Sequence, residues 1–171
     1  MRPLAERLSY RSLQRLLVLV IALHNLEEGV TVPAFLPRVR AHLQQIPAFH
    51  DVALPTAERM YVALVVVTLV PGLLVGWATT GRDSVVKREI VAILVAALLW
   101  NVLIPHVPAA ILLGGYAPGV LTAVAINLPF AVYFFRRSAH ERMLTRRQIG
   151  VALLIGLLLL MVAPPLLLLA G

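Results

Sequence analysis

Three ionisable side chains, His24, Glu27 and Glu28, interrupt an apolar stretch near the start of the chain. Their spacing of i, i+3 and i+4 places all three on one face of an α-helix. At the centre of a membrane-spanning helix an acidic residue costs about 2.5–3.5 kcal/mol, and two adjacent carboxylates resist joint ionisation. We therefore expect this His–Glu–Glu cluster to face the interior of a helical bundle, where other polar groups can satisfy it.

Metal binding is the first chemistry that the cluster suggests. A histidine and a carboxylate one helical turn apart are good ligands for Zn²⁺, Fe²⁺ or Mn²⁺. The expected ligands are His24, Glu28 and His106, with Glu27 as a general base or as a support for the ligands. This interpretation predicts a metal-assisted membrane enzyme that acts on a lipid or an apolar small molecule. Two histidines within apolar stretches are too few for the multi-histidine sites of membrane desaturases and hydroxylases.

Metal-free acid/base catalysis is the second interpretation, with Glu27, Glu28 and His24 as catalytic residues. Two carboxyl groups at low dielectric divide into one proton donor and one acceptor. A His/Glu/Asn/Trp centre in five spans is similar in style to the emopamil-binding sterol isomerases, which share the His24–Glu28 spacing. A proton or cation transporter subunit is the third interpretation, because intramembrane acids and histidines also form proton relays and ion sites. A purely structural hydrogen-bonded knot is the remaining alternative.

Other polar and aromatic side chains are predicted near the cluster. At a rise of about 1.5 Å per residue, Asn101 and Asn127 lie within one helical turn of its depth, with Trp100 beside Asn101. We expect His106 and Tyr116 above them, towards the outside. Asn101, Trp100, Tyr116 and Asn127 are therefore the candidate pocket residues. For each asparagine, an interhelical hydrogen bond without a further role is the competing interpretation.

The composition of the chain is typical of a polytopic membrane protein. Of its 171 residues, 60% are hydrophobic and 13% are charged, whereas about a quarter of a soluble domain is charged. The chain has no cysteine, which excludes disulfides and thiolate ligands. The length allows one membrane domain over residues 1–171 and no separate soluble domain.

Five apolar stretches are long enough to cross a hydrocarbon core, which takes about 20 residues. They predict an all-α polytopic transmembrane bundle. Pro33 is expected to end or bend the first helix, Gly114-Gly115 to break the fourth, and the segment 37–59 to hold a short interfacial helix. The predicted spans are 16–36, 60–79, 89–104, 109–135 and 149–169.

The basic residues are distributed unevenly between the two ends of this bundle. Of the 15, twelve fall in residues 2–15, 82–88 and 136–147, and the other three are Arg38, Arg40 and Arg59. The positive-inside rule then places the N-terminus in the cytoplasm and the C-terminus outside, with the cell membrane as the expected location. Because these charges flank apolar stretches, they do not indicate nucleic-acid binding. The expected partners are membrane lipid and a lipid-like substrate, and a homo-oligomer is left open.

Three motifs occur in order within these stretches. Residues 24–28 read H-x-x-E-E, residues 101–106 read N-x-x-x-x-H, and residues 116–119 read Y-x-P-G. Together they resemble the HXXEE-domain membrane proteins, an uncharacterised family named for its first motif. The resemblance implies a small polytopic protein with a polar intramembrane centre, and it supplies no reaction.

Overall fold

The apolar stretches all form helices in the computed structural model, which describes residues 8–46 and 55–169. Five of these helices are long and apolar enough to cross a membrane, as predicted. The described residues contain no β-strand, so the all-α prediction is confirmed. The N-in/C-out orientation stays a prediction, and Arg2 and Arg7, on which it partly rests, lie outside the described residues. We number the helices in chain order: α1 is Tyr10–Leu43, α2 is Ala57–Ala78, α3 is Val85–Leu112, α4 is Val120–His140 and α5 is Arg146–Leu169.

Helix α1 is longer than the predicted first span. It begins after Ser9, whose hydroxyl accepts a hydrogen bond from the N–H of Ser12 at 3.0 Å. Of the two expectations for Pro33, the one that it ends the helix is wrong, because α1 continues through Pro33 and Pro37. The bend stays a prediction. Each proline lacks the N–H that would donate to the carbonyl four residues earlier, and membrane helices tolerate proline because local adjustments satisfy the freed backbone groups. This extension replaces the first part of the expected interfacial helix, and residues 47–54 of that segment lie outside the described residues.

The third and fourth spans meet at a different place from the prediction. Residues 109–112 belong to α3, and the turn between the helices covers residues 113–119. The two prolines near His106 do not end the helix, since a π-helical segment, Val102–His106, continues it. Such local adjustments allow membrane helices to accommodate proline. A second π-helical segment, Ala123–Asn127, lies in α4, and π-helical turns are frequent at functional sites.

Helix α3 is the central helix of the bundle and contacts α1, α2, α4 and α5. It packs most closely against α5, where a Cβ on Gly156 would lie 2.6 Å from the Cβ of Ala96. Small residues allow membrane helices to approach one another in this way. The apolar core lies between the His–Glu–Glu cluster and one end of the bundle, and its most buried members include Leu17, Val91, Val95 and Phe134.

That end of the bundle is formed by the start of α1 and the turns 79–84 and 141–145, and we call it the basic end. At the basic end, arginine side chains link neighbouring segments by donating hydrogen bonds to backbone carbonyl groups. Arg88 donates to the carbonyl of Met143 at 2.8 Å, and Arg137 donates to that of Leu8 at 2.7 Å. The opposite end, which we call the far end, contains the turn 113–119.

Candidate metal centre

The side chains of His24, Glu28 and His106 converge between α1 and the π-helical segment of α3. One potential ligand atom of each residue lies within 4.8 Å of those of the other two. Glu28 Oε1 is 3.4 Å from His106 Nε2, and the two imidazole rings meet edge to face with centroids 4.6 Å apart. Both histidines are buried, whereas 22% of the Glu28 side chain is exposed. The structure therefore brings together the three residues that the sequence predicted as metal ligands.

The π-helical segment of α3 explains why the side chains of Asn101 and His106 lie on the same face of the helix and contact each other. Residues five apart would point about 140° away from each other on a regular α-helix. The wider π-helical turn pairs residues i and i+5, so Asn101 Nδ2 lies 2.9 Å from His106 Nε2. His106, which was expected above the other polar residues, is instead bonded to one of them.

Hydrogen-bond partners determine which nitrogen of each histidine carries the proton. His106 Nδ1 is 2.9 Å from the carbonyl oxygen of Pro118, and a carbonyl only accepts, so Nδ1 is protonated. Asn101 Nδ2 is 2.9 Å from His106 Nε2 and 3.0 Å from His24 Nε2. An amide nitrogen only donates, so both Nε2 atoms are acceptors. The lone pairs of the two imidazoles therefore point at a single atom.

The carboxylate of Glu27 accepts hydrogen bonds from Tyr116 and from the first residues of α4. Its Oε1 accepts from the Tyr116 hydroxyl at 2.7 Å and from the N–H of Leu121 at 3.3 Å. Its Oε2 accepts from the N–H of Thr122 at 2.7 Å and from the Thr122 hydroxyl at 2.5 Å. The N-cap of α4 is Gly119, which has no side chain to satisfy these N–H groups. Glu27 satisfies them from α1, with a negative charge that the helix dipole favours.

Thr122 links the Glu27 carboxylate to His24. Its hydroxyl donates to Glu27, so it accepts from His24 Nδ1 at 2.9 Å. The result is a His24–Thr122–Glu27 chain, a threonine-bridged form of the carboxylate–histidine pair that orients metal-binding histidines. This arrangement gives Glu27 the supporting role that was one of its two predicted roles. Thr122 itself was not predicted, and its position three residues after the Y-x-P-G glycine is the only signal that could have found it.

The backbone at Gly119 lies directly against the side chains of the three candidate ligands. Its φ of +79° lies in the left-handed region that favours glycine. A Cβ at this position would lie 2.7 Å from His106 Cε1, 2.8 Å from Glu28 Cγ and 3.0 Å from His24 Cε1. The backbone of the turn 113–119 thus forms one wall of the site, and it can approach so closely only without a side chain.

Tyr116 attaches this turn to α1. Its ring packs edge to face against Phe35 with centroids 5.2 Å apart, while its hydroxyl donates to Glu27. Burial raises the pKa of Tyr116, so the phenol retains the proton that it donates. Each of the three named residues of the Y-x-P-G motif therefore has a distinct role. Tyr116 attaches the turn to α1, the Pro118 carbonyl orients the His106 ring, and Gly119 allows the backbone to approach the candidate ligands.

Two predicted pocket residues are not bonded to the cluster. The Trp100 indole donates to the carbonyl of Leu153 on α5 at 2.9 Å, so this side chain stabilises the contact between α3 and α5. Asn127 is fully buried in the π-helical segment of α4, and neither atom of its side-chain amide has a hydrogen-bond partner among the described residues. The structure offers no account of Asn127.

Another polar contact holds α1 beside α2. Asn25 Nδ2 donates to the Thr68 hydroxyl at 2.6 Å, and that hydroxyl donates to the carbonyl of Leu64 at 2.7 Å. This contact shares no hydrogen bond with the candidate metal centre. Its residues therefore provide controls for substitutions within the centre.

Comparisons with known proteins agree with the motifs. A family model described as a protein of unknown function with an HXXEE motif matches residues 15–134. The chain is also similar to a Bacillus subtilis (strain 168) protein called "Uncharacterized protein YrkK". The two are 24% identical over 145 residues, which cover 84% of this chain and 86% of that relative. No solved structure matches the chain.

Proposed function

The chain belongs to the HXXEE family, and we propose that the family motif contributes to a divalent-metal site in a membrane enzyme that acts on a lipid or an apolar small molecule. His24, Glu28 and His106 are the proposed ligands. The observation that carries the proposal is the convergence of two imidazole Nε2 lone pairs next to a carboxylate oxygen.

The three proposed ligands suit Zn²⁺, Fe²⁺ or Mn²⁺. Two imidazole nitrogens and one carboxylate oxygen form the protein ligand set of many catalytic zinc and non-haem iron sites. Bonds of about 2.0–2.2 Å place the ligand atoms of a tetrahedral site about 3.3–3.6 Å apart. The distance from Glu28 Oε1 to His106 Nε2 is 3.4 Å. Little rearrangement is needed along that edge of the site.

The surroundings of the histidines also support a metal. Metal-binding histidines usually donate their second N–H to a carbonyl, a carboxylate or a water, which fixes the ring. Here His106 donates to the Pro118 carbonyl, and His24 donates through Thr122 to Glu27. A divalent cation would also balance the two adjacent carboxylates, which are costly in an apolar bundle.

Such an ion, when bound, polarises a carbonyl or phosphoryl oxygen or activates a water molecule. The residues of the chain supply the rest of the site. Glu28 is the ligand with exposed surface, so we expect the substrate to approach there. Gly119 and the turn 113–119 shield the histidines. A site surrounded by membrane-spanning helices favours substrates that dissolve in hydrocarbon. We place the protein in the cell membrane with its basic end in the cytoplasm.

Elemental analysis of protein purified in detergent tests the metal site. We expect a stoichiometric transition metal that is reduced to background in His24→Ala and in His106→Ala. His140→Ala is the matched control, because His140 lies at the basic end of α4, and it should retain the metal. Folded wild-type protein that neither contains metal nor binds added Zn²⁺ would refute the proposed site.

The catalytic part of the proposal needs a separate measurement. Metal-loaded protein is incubated with a total membrane lipid extract, and the lipids are compared by mass spectrometry with a sample containing Glu28→Gln. We expect species that change only with the wild type. If the two samples match across polar and neutral lipids, the metal site serves some purpose other than lipid chemistry.

A metal-free acid/base centre is the second candidate function. The observation that favours it is the approach of Glu28 to the unprotonated Nε2 of His106. A carboxyl group and an imidazole nitrogen at 3.4 Å can share one proton. A double-bond shift in a lipid needs one group that protonates a substrate carbon and a second group that removes a proton from another carbon, and this pair supplies both. Lipid conversion that persists after chelation but needs both residues would support this candidate over the metal enzyme.

Ion transport receives less support from the fold. Between the cluster and the basic end, the described core is made of apolar side chains such as Leu17, Val91 and Phe134. Asn127 and Ser138 are the buried polar side chains of α4 among the described residues. Asn127 has no hydrogen-bond partner there, and Ser138 bonds to Tyr10 at the basic end. A proton or cation would find no continuous row of polar groups along this part of the described bundle.

A further inference from the structure

Asn101 occupies the point at which the two histidine lone pairs meet. Its Nδ2 donates one hydrogen to His24 Nε2 at 3.0 Å and the other to His106 Nε2 at 2.9 Å. An ion that binds these lone pairs must displace both hydrogen bonds. The amide of Asn101 therefore has to move when the site is filled.

We propose that the Asn101 side-chain amide rotates when a metal binds, so that Oδ1 replaces Nδ2 and becomes the fourth protein ligand. This inference rests on the proposed metal site. It adds a ligand that sequence reasoning placed only in the pocket, and it describes how the site changes between its empty and filled states.

The geometry favours such a rotation. The oxygen and nitrogen of an asparagine amide are similar in size, and the torsion that exchanges them has two roughly equivalent orientations. After a half-turn, Oδ1 of Asn101 replaces Nδ2 on the side of the amide that faces both Nε2 atoms, and the side chain withdraws far enough to leave room for the ion between them. Neighbouring ligand atoms lie about 2.8–3.6 Å apart in octahedral to tetrahedral sites with bonds of about 2.0–2.2 Å.

The chemistry of the amide explains why each orientation suits one state. Without a metal, two imidazole lone pairs need hydrogen-bond donors, and Nδ2 supplies both hydrogens, so the buried acceptors are satisfied. With a metal, a neutral amide nitrogen is no ligand, whereas amide oxygens bind divalent cations. Asn101 would stabilise the empty site and the filled site in turn, so a buried site can fold before its ion arrives.

Titration of metal-free protein in detergent with Co²⁺ tests the inference, because its visible absorption reports the number and type of ligands. We expect Asn101→Leu to weaken Co²⁺ binding at least tenfold, about the minimum loss for an outer partner of a metal ligand, and to change the spectrum. Asn25→Leu is the matched control, since Asn25 bonds to Thr68 outside the site, and it should keep the wild-type affinity and spectrum.

Asn101→Asp provides the second variant, in case the leucine variant does not fold. A carboxylate presents an oxygen in either orientation, so no rotation is needed. We expect Co²⁺ uptake that is faster than in the wild type, with affinity at least as high and a spectrum that retains the oxygen ligand.

The possible failures can be told apart. If wild-type protein binds neither Co²⁺ nor Zn²⁺, the proposed metal site is wrong and the role of Asn101 falls with it. If the wild type binds Co²⁺ and Asn101→Leu binds it equally well with the same spectrum, the site stands and the fourth ligand is wrong. Uptake by Asn101→Asp that is no faster than wild-type uptake would refute the rotation.

Discussion

Glu27 and Glu28 are neighbours of the same chemical type, and the helix turns them towards different partners. Glu27 accepts four hydrogen bonds from Tyr116 and the start of α4. Glu28 lies beside His106 and keeps part of its surface exposed. The sequence motif joins an anchoring carboxylate and a candidate ligand in adjacent positions.

Replacing each glutamate by glutamine should separate the two roles. In Glu27→Gln, the NH₂ that replaces one carboxylate oxygen cannot accept from the donors that it faces. A polar group left unsatisfied in a buried site costs about 1–3 kcal/mol, and we expect a loss at the lower end of that range because these donors are only partly buried. In Glu28→Gln, a partly exposed carboxyl group beside an imidazole acceptor is replaced by a neutral amide, so the stability of metal-free protein should be unchanged or higher, while metal affinity falls. Thermal unfolding in detergent and Zn²⁺ titration measure both effects. A larger loss of stability in Glu28→Gln than in Glu27→Gln would contradict these assignments.

Thr122 is expected to tune the metal site through His24. Thr122→Val keeps the shape of the side chain but leaves His24 Nδ1 without its acceptor, and loss of such an outer partner typically lowers metal affinity by about 10–100-fold. Thr122→Ser should restore most of the affinity for Zn²⁺. Thr68→Val, which removes a hydroxyl elsewhere in the bundle, should leave it unchanged. Equal affinities in all three variants would show that His24 is positioned by packing alone.

At the scale of elements, the turn 113–119 is both a connection and a wall of the site. Gly114 and Gly119 both have positive φ, at +65° and +79°. They differ in their surroundings, because a Cβ on Gly114 meets nothing within 4 Å, whereas one on Gly119 meets three site side chains. The pair therefore distinguishes backbone strain from intrusion into the site.

Alanine at each of these glycines should give different results. Both substitutions force an L-residue into the left-handed region, which costs about 1–2 kcal/mol. Gly119→Ala should also push apart His24, Glu28 and His106 and abolish metal binding, while Gly114→Ala should bind Zn²⁺ normally. Unfolding temperature and metal content measured on both variants test this. Normal metal content in Gly119→Ala would show that the turn can move away from the ligands.

Helix periodicity predicted part of this site and missed the rest for physical reasons. The spacing of His24 and Glu28 fits a regular α-helix, so their shared face was predictable. Asn101 and His106 share a face only because α3 changes to π-helical hydrogen bonding, which leaves no mark in apolar periodicity. The role of Thr122 depends on a turn that folds back over α1, and apolar periodicity carries no information on a long-range contact of this kind.

At the scale of the whole molecule, composition and length were sufficient to predict five helical spans. Boundaries were less predictable, because prolines that usually stop helices in water are retained inside membrane helices. Helix α1 runs through Pro33 and Pro37 for this reason, and α3 runs through Pro105 and Pro108.

The orientation of the bundle can be tested directly because the chain has no cysteine. We expect Gly115→Cys, in the exposed turn at the far end, to react in intact cells with a maleimide that cannot cross the membrane. Arg82→Cys, in the exposed turn at the basic end, should react only after the cells are opened. The reverse pattern would show that the basic end faces outside, contrary to the positive-inside rule.

The hydrogen bonds of Glu27 span 94 and 95 residues of sequence to Leu121 and Thr122, which has a consequence for biosynthesis. Ribosomes add about 5–20 residues per second, so α1 leaves the ribosome many seconds before the segment that satisfies its carboxylate exists. Throughout that interval its acidic face has no partner from the later helices. We therefore expect α1 to stay beside the hydrated insertion machinery until α4 has been made, and crosslinking of stalled nascent chains that are long enough to contain α1 but not α4 would test this.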